Sequence, residues 1–296
     1  MDPFKSGFVS IIGAPNVGKS TFLNRVVGEK ISITSSKPQT TRNRILGVLH
    51  RPASQIVFLD TPGIHRAKTP LNRKLVETAC SALSDADVVL MMVDAGASNK
   101  DSEEILLSVL KNTRSPVILA LNKIDLIAKP LILKKIEEWV PRHSFTEIVP
   151  ISSKFGDQIE ALLVVLENML PVGPKYYPDE EITDMPMRFL MAERIREKIY
   201  HLTGKEIPYS TAVTIEEYSK RKSKSTVYIR AVIHVERNSQ KGILIGQGGE
   251  KLKKIGEVAR HDMEEILCSK VYLELLVRVQ KNWSRDTRAI KRFGYE

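Results

Sequence analysis

The chain has 296 residues, of which 42% are hydrophobic and 27% are charged, as expected for a soluble protein of two globular domains. No apolar run approaches the roughly 18 residues of a membrane-spanning helix, and the start of the chain lacks the apolar core of a signal peptide, so we expect a cytoplasmic protein. Cys80 and Cys268 lie in unrelated segments, which argues against a disulfide or metal framework, and we interpret both as small buried apolar residues.

The net charge of +10 is concentrated near the end of the chain. Residues 188–296 contain 23 Lys or Arg against 14 Asp or Glu, whereas residues 1–187 contain 22 against 21. A cationic segment is the part expected to meet a polyanion, although a solvated basic surface has the same composition. The charge therefore favours a nucleic acid or an anionic membrane as a partner without separating the two.

Short apolar runs alternate with amphipathic stretches in the first part of the chain. The runs are continuous and rich in β-branched residues, and they predict buried strands at 8–12, 55–59, 87–93, 116–121 and 147–151. Helical periodicity is found at 19–28, 70–84, 101–113, 130–140 and 157–169, and residues 42–50 predict an additional edge strand. This alternation predicts an α/β domain at 1–172, with a mainly parallel sheet and helices on both faces.

A change of character follows this domain. Several prolines and acidic residues without periodicity predict a linker at 173–186. Beyond it we expect a small α+β domain at 187–296, with a helix, two strands, two helices and a last strand. The helix is predicted at 187–202, the strands at 210–217, 226–236 and 270–280, and the two helices on either side of residues 246–249.

A glycine-rich segment fits the pattern G-x-x-x-x-G-K-[ST] between a predicted strand and a predicted helix. Its glycines allow backbone N–H groups to surround a polyphosphate, and the helix adds its positive N-terminal end. Lys19 would neutralise the β and γ phosphates, and the hydroxyl of Ser20 would bind Mg²⁺. A glycine-rich turn without function is the alternative. The predicted phosphate-binding residues are Gly13, Ala14, Pro15, Asn16, Val17, Gly18, Lys19, Ser20 and Thr21.

Four residues, Asp60, Thr61, Pro62 and Gly63, follow a predicted strand and therefore lie at the carboxyl edge of the sheet, where ligands bind in open α/β folds. Asp60 would hold Mg²⁺ through a water, and the N–H of Gly63 would approach the γ-phosphate. The motif is common by itself, but its spacing from the glycine-rich segment makes it informative.

The polar segment 35–42 has no apolar anchors and is typical of a loop that orders with its ligand. Thr41, in preference to Thr40, would complete the Mg²⁺ shell when a γ-phosphate is present. An inert surface loop is the alternative. The residues that we predict at the hydrolytic centre are Lys19, Thr41, Asp60 and Gly63.

The sequence Asn-Lys-Ile-Asp at 122–125 ends another predicted strand and specifies the base. The carboxylate of Asp125 can accept hydrogen bonds from N1–H and the N2 amino group of guanine, a pair of donors that adenine lacks. The stem of Lys123 would cover the base, and Asn122 would tie the loop together. The backbone after the next strand would approach the guanine O6 at Ser152, Ser153 and Lys154.

A G-x-x-G sequence at 246–249 lies between an apolar stretch and a basic helix. Such loops clamp the backbone of single-stranded RNA because glycines let phosphates approach the N–H groups at helix ends. A solvated helix face is the alternative for each nearby lysine. The predicted RNA-binding residues are Lys241, Ile245, Gly246, Gln247, Gly248, Gly249, Lys251, Lys253 and Lys254.

Two other features of the tail have open interpretations. The basic run 220–225 either forms an exposed hairpin loop or binds RNA. The aromatic residues Trp283, Phe293 and Tyr295 either pack against the domain or stack on bases.

The motifs GAPNVGKSTFLN, KPQTTR, DTPGIH, NKID and SSK together resemble the translation-factor-related branch of GTPases and, more closely, the Era family. The resemblance covers essentially the whole chain, and the tail resembles a type II KH domain. It implies binding of GTP and GDP and slow, Mg²⁺-dependent hydrolysis. It also implies that the ligand is single-stranded RNA near the 3′ end of 16S-type ribosomal RNA, and that no DNA partner is expected. The implied role is in assembly of the small (30S) ribosomal subunit and in rRNA maturation.

The same resemblance implies peripheral contact with the inner face of the cell membrane, for which the sequence offers only its basic surface. Two rival interpretations follow from the residues. The chain is an RNA-binding adaptor with a structural nucleotide and negligible turnover, or it is a membrane-associated regulatory GTPase.

Ile64 occupies the position after D-x-x-G, where many small GTPases have a glutamine that orients the attacking water. Because isoleucine neither donates nor accepts a hydrogen bond, we expect loop backbone, a bound cation or a partner to take this role. The resemblance implies that Asn16 helps to hold a potassium ion.

Overall fold

The computed structural model describes residues 3–35, 37–66, 69–204, 206–220 and 226–295. The chain divides into two compact units, and the main break falls between Asp184 and Met185. Of the predicted basic run 220–225, only Lys220 lies within the described residues, and Ser36 of the polar segment lies outside them.

The first unit contains a six-stranded sheet with helices on both faces, which confirms the predicted α/β fold. The strand order is β2-β3-β1-β4-β5-β6, and all neighbours are parallel except β2 and β3. The strands are β1 (Lys5–Gly13), β2 (Ile45–His50), β3 (Ser54–Asp60), β4 (Val88–Asp94), β5 (Val117–Asn122) and β6 (Glu147–Pro150). The helices are α1 (Lys19–Val27), α2 (Pro70–Ser84), α3 (Lys100–Leu110), α4 (Lys129–Trp139) and α5 (Ile159–Met169).

Burial of the central strands explains their apolar composition. Every residue of β3 and β5 is buried, because side chains on both faces of these strands meet covering helices or loops. Four of the parallel strands end at the same edge of the sheet. The register pairs Asp60 with Ile11, Gly13 with Met92, and Asp94 with Asn122, so the loops that follow these strands are neighbours.

The predicted linker packs on the first unit as far as Asp184. Its Ile182 carbonyl accepts from the N–H of Val48 on the edge strand β2 at 2.8 Å, and its Tyr177 carbonyl accepts from the side chain of Gln55 at 2.8 Å. An edge strand presents unpaired backbone groups, and a proline-rich segment satisfies some of them without forming a full strand. This part of the predicted linker therefore packs along the edge of the sheet and shields part of it from solvent.

The second unit has the predicted order of helix, two strands, two helices and strand. Its three-stranded sheet has the order β7-β8-β9, with β7 antiparallel and β9 parallel to β8. The elements are α6 (Met187–Leu202), β7 (Ala212–Lys220), β8 (Thr226–Val235), α7 (Asn238–Ile245), α8 (Glu250–Leu267) and β9 (Lys270–Val279). A further helix, α9 (Thr287–Arg292), was not predicted, because six residues are too few to show a helical period.

The aromatic residues at the end of the chain belong to the core of the second unit. Trp283 is fully buried, its indole N–H donates to the carbonyl of Ser210 at 2.8 Å, and its ring lies against Phe293 and Tyr295. Packing is therefore the role that the structure supports for these residues.

The interpretation of both cysteines as buried was wrong. Cys268 is exposed and adopts a left-handed backbone at the end of α8, and Cys80 is half-buried on α2. Among the helices of the described residues, none combines the length and the apolar character needed to cross a membrane.

Candidate functional site

The glycine-rich segment forms a tight loop between β1 and α1. Asn16 and Gly18 both have positive φ angles, of 66° and 104°, and α1 begins at Lys19. A Cβ atom at Gly18 would lie 2.2 Å from the Nδ2 atom of Asn122. Glycine is therefore required here both by the backbone conformation and by the close approach of Asn122.

Lys19 is buried beneath this loop. Its ammonium group donates to the carbonyls of Gly13 and Ala14 at 3.1 and 3.0 Å. Burial lowers the pKa of Lys19 from 10.5 to about 8, and the nearby negative charge of Asp60 opposes this shift. The loop thus holds a poorly solvated ammonium group. An anionic ligand bound beside it would stabilise its positive charge.

Asp60 lies at the end of β3 and is completely buried. Ser20 and Ser32 donate to its Oδ2 atom at 2.7 and 2.9 Å, and the hydroxyl of Thr41 lies 2.9 Å from that of Ser20. Burial raises the pKa of Asp60, while Lys19 and these hydroxyls oppose the shift. Among the residues that the structure describes, the Oδ1 atom of Asp60 has no hydrogen-bond partner.

This oxygen-rich cluster fits a magnesium ion. Hydroxyl and carboxylate oxygens are the ligands that Mg²⁺ prefers, and a buried carboxylate oxygen without a partner is a costly arrangement that a cation would relieve. The structure therefore brings Ser20, Thr41 and Asp60 together. Ser32 joins them, although it lies outside the predicted motifs and the sequence gave no signal for it.

Asn122 connects the loop of 122–125 to two other parts of the site. Its Nδ2 atom donates to the carbonyl of Val17 at 2.6 Å, and its Oδ1 atom accepts from the N–H of Ser153 at 2.9 Å. Because the side chain is buried, each bond is made away from water. The N–H of Ser153, predicted to approach the guanine O6, is therefore already engaged by Asn122.

Lys123 and Asp125 face the other side of this loop. Lys123 has a positive φ of 64°, and its ammonium group lies 2.6 Å from the carboxylate of Asp94 at the end of β4. Asp125 accepts from the hydroxyl of Ser152 at 2.6 Å and is exposed. The carboxylate of Asp125 is thus held in place at one oxygen while it remains accessible to a ligand.

Arg25 braces the loop of 152–154 from α1. Its guanidinium donates to the carbonyl of Ser153 at 2.6 Å and also to that of Lys154. A Cβ atom at Gly156, which has a φ of 95°, would lie 3.0 Å from this guanidinium. Sequence reasoning missed Arg25 and Asp94, because only the folded chain brings them to these loops.

A cavity of about 380 Å³ opens between the glycine-rich loop and residues 33–35 and 39–41. It is lined by Pro15, Asn16, Gly18, Lys19, Ser20, Thr21, Ile33, Thr34, Ser35, Gln39, Thr40, Thr41, Gly63 and Lys123. Several predicted residues lie behind this lining. Thr61, for example, is buried and donates to the carbonyl of Ile11 at 2.8 Å, which makes it a link between strands.

Gly63 lies close to the glycine-rich loop, and a Cβ atom there would be 2.7 Å from the backbone nitrogen of Pro15. The next residue, Ile64, donates its backbone N–H to Gly13, and its side chain is fully buried in the core with Ile12 and Leu83. The side chain of Ile64 therefore points away from the cavity.

The G-x-x-G loop of the second unit joins α7 to α8 and has three glycines with positive φ angles, at 74° for Gly246, 58° for Gly248 and 86° for Gly249. Added Cβ atoms at Gly248 and Gly249 would meet none of the described residues within 4 Å, whereas one at Gly246 would lie 2.8 Å from Lys251. The outer side of the loop is thus open to a ligand.

A groove of about 660 Å³ lies between α8 and β9 in the same unit. The predicted Lys253 is exposed at this groove, and Lys254 is exposed and paired with Glu257. The sequence gave no signal for the other lining residues, because they come from two elements that only the fold brings together. The lining is formed by Leu252, Lys253, Gly256, Glu257, Arg260, Leu273 and Leu275.

Two family models match the chain: "50S ribosome-binding GTPase" at residues 8–123 and "KH domain" at residues 206–284. GTPase Era of Geotalea uraniireducens is 54% identical over 293 residues, which cover 99% of this chain and 98% of that protein. The chain belongs to the GTPase Era family. GTPase Era of Geobacter metallireducens is 51% identical and covers 99% of both chains.

Two solved structures of Era proteins match the chain over 99% of both lengths at 43% identity. One is a single-residue variant of Aquifex aeolicus Era bound to GDP·AlF₄⁻, with a TM-score of 0.95. The other is Era in complex with MgGDPNP and nucleotides 1506–1542 of 16S ribosomal RNA, with a TM-score of 0.93. The family membership that the motifs predicted is therefore confirmed.

Replacing Asn122 by alanine should weaken the first unit. The change leaves the buried carbonyl of Val17 and the N–H of Ser153 without partners, at a cost of about 1–3 kcal/mol for each group. We expect a lower free energy of unfolding in urea, followed by circular dichroism, and faster hydrogen exchange at the Ser153 amide. Asp125→Ala, which changes an exposed residue of the same loop, serves as the control. An equal loss of stability in both variants would contradict the bridging role of Asn122.

Proposed function

We propose that this Era-family protein is a GTPase that binds the 3′ end region of 16S-type ribosomal RNA and acts in small-subunit assembly and rRNA maturation. One observation carries the enzymatic part. The buried ammonium group of Lys19 and the buried carboxylate of Asp60 lie in the same site as a loop suited to a guanine base, and one oxygen of Asp60 has no partner within the described part of the chain.

Each part of the nucleotide has a matching group in the first unit. The N–H groups of residues 13–21 and the ammonium of Lys19 bind the phosphates. A magnesium ion held by Ser20 and Thr41, and by Asp60 through a water, neutralises the developing negative charge when it is bound. The N–H of Gly63 donates to the γ-phosphate. These assignments account for the buried charges at the edge of the sheet.

The base-binding loop selects guanine by its hydrogen bonds. Asp125, oriented by Ser152, accepts from N1–H and from the N2 amino group, and the stem of Lys123 covers the ring while its ammonium group rests on Asp94. Because the N–H of Ser153 is used by Asn122, we assign the contact with O6 to the N–H of Lys154.

The second unit binds single-stranded RNA along the G-x-x-G loop and the neighbouring groove. The open positions at Gly248 and Gly249 let phosphates reach the N-terminal end of α8. The remaining residues of this surface are Ile245, Gln247, Lys241, Lys251 and Lys253, and Lys254 lies at its rim.

The small subunit is the better supported target. The family model "50S ribosome-binding GTPase" matches only residues 8–123. The structure of Era in complex with 16S ribosomal RNA, in contrast, matches 99% of the chain. An RNA ligand also suits the excess of basic residues at 188–296.

Two finer expectations stay predictions. The resemblance to related GTPases implies that Asn16, which lines the cavity, helps to hold a potassium ion. Peripheral membrane contact has only the basic surface in its favour.

Replacing Asp125 by asparagine should change the base that the protein prefers. Xanthine carries a carbonyl where guanine carries the N2 amino group, and an asparagine amide can donate to it while still accepting from N1–H. We expect the affinity for GTP to fall by on the order of 100-fold and that for XTP to rise, as measured with fluorescent nucleotides. Asp157→Asn changes an exposed acid of a neighbouring loop and should alter neither. An Asp125→Asn protein that still prefers GTP would contradict this assignment.

Replacing Gly248 by aspartate should weaken RNA binding. The new carboxylate has room to fit, but it places a negative charge where we expect an RNA phosphate, so affinity should fall roughly tenfold or more. The measurement is fluorescence anisotropy with a single-stranded RNA from the 3′ end of 16S-type ribosomal RNA. Gly294→Asp is a matched control, because Gly294 also has a positive φ and open space around it. Equal losses in the two variants would contradict a role for the G-x-x-G loop.

A further inference from the structure

The first unit contains a second polar contact beside the predicted γ-phosphate position. Gln39 lines the cavity together with Thr40 and Thr41, and His65 follows Gly63 by two residues. The Nε2 atoms of Gln39 and His65 are 3.0 Å apart, and the Nδ1 atom of His65 lies 2.8 Å from the carbonyl oxygen of Gly63. The imidazole of His65 therefore connects two residues of the cavity lining, Gln39 and Gly63, that belong to different segments.

The chemistry of these groups fixes the direction of both hydrogen bonds. A carbonyl oxygen only accepts, so the Nδ1 atom of His65 must carry the proton that it donates to Gly63. In a neutral imidazole the Nε2 atom is then an acceptor, and it receives an N–H from the amide of Gln39. One tautomer of His65 thus satisfies both contacts and fixes the orientation of the Gln39 amide.

The backbone of Gln39 is also unusual. Its φ of 62° places a residue other than glycine in the left-handed region, which is sparsely populated and requires support from the surroundings. The contact with His65 supplies part of that support. The result is an amide held at the cavity that Lys19, Ser20, Thr41 and Gly63 also line.

We propose that Gln39 is the catalytic residue that orients the attacking water in GTP hydrolysis and that His65 is its positioning residue. The proposal rests on the proposed GTPase function. It accounts for Ile64, whose buried side chain contributes no polar group at the position where other GTPases have a glutamine. An amide has two N–H donors and a carbonyl with two lone pairs, so the bond to His65 is compatible with contact to a water.

In this reaction the oxygen of water forms a bond to the γ-phosphorus, and the bond from that phosphorus to the β–γ bridging oxygen breaks. The electron pair of the broken bond stays on the bridging oxygen, which leaves as part of GDP. One proton of the water passes to another oxygen of the released phosphate, and the second proton stays on the oxygen that has bonded to phosphorus. Gln39 neither gains nor loses a proton, since its amide only directs the water along the line of attack.

The test compares Gln39→Ala, His65→Ala and the double variant in single-turnover hydrolysis of GTP. We expect Gln39→Ala to reduce the rate by on the order of 100-fold while the affinity for GTP stays within about threefold. His65→Ala should reduce the rate by roughly tenfold, and the double variant should match Gln39→Ala because His65 acts through Gln39. Lys37→Ala, in the same segment but outside the cavity lining, should hydrolyse GTP at the rate of the unchanged protein.

A second readout separates catalysis from a structural role. The affinity for GDP with AlF₄⁻, which imitates the transition state, should fall in Gln39→Ala by about the same factor as the rate, whereas the affinity for GDP alone should not change. An unchanged rate in Gln39→Ala would overturn the proposal, and losses that multiply in the double variant would overturn the role of His65. An unchanged protein that does not hydrolyse GTP would instead overturn the proposed function.

Discussion

The burial of two opposite charges, on Lys19 and Asp60, is the constraint on which the first unit depends. Burial lowers the pKa of Lys19 to about 8 and raises that of Asp60, so each charge is costly until a ligand shares it. The hydrogen bonds of these two side chains do not fully compensate for the burial of their charges. Lys19 donates to carbonyls of its own loop, and one oxygen of Asp60 finds no partner in the described ranges of the chain. Both features suit a phosphate chain with its metal ion.

The loops around this pair are connected to one another by side chains. Asn122 joins the phosphate loop to the loop of 152–154, Arg25 braces the same loop from α1, and Lys123 rests on Asp94. A base bound at one end of the site and phosphates bound at the other therefore contact one hydrogen-bonded framework. On the opposite side, Gln39 and His65 join two further segments through a contact that no single motif contains.

The sequence predicted the fold and the centre of the site because both follow from local patterns. Continuous apolar runs predicted the buried strands, and motif spacing placed Lys19, Asp60 and Asn122 at one edge of the sheet. The partners Ser32, Arg25 and Asp94 could not be predicted, because they reach the site only through contacts between distant segments. The groove between α8 and β9 was missed for the same reason. The contact between the predicted linker and the edge strand β2 was missed, because composition does not reveal a single backbone hydrogen bond.

Proton uptake on GTP binding tests the central claim most directly. Because the pKa of Lys19 is lowered to about 8, we expect most Lys19 side chains of the free protein to be uncharged at a pH above this value. A triphosphate that requires the charged ammonium group must then bind together with a proton. Calorimetry at pH 8.5 in buffers of different ionisation enthalpy should show uptake of most of one proton for each GTP bound, with little contribution from Lys19 at pH 7. Binding enthalpies that do not depend on the buffer at pH 8.5 would show that Lys19 does not lie in a desolvated site that binds the phosphates.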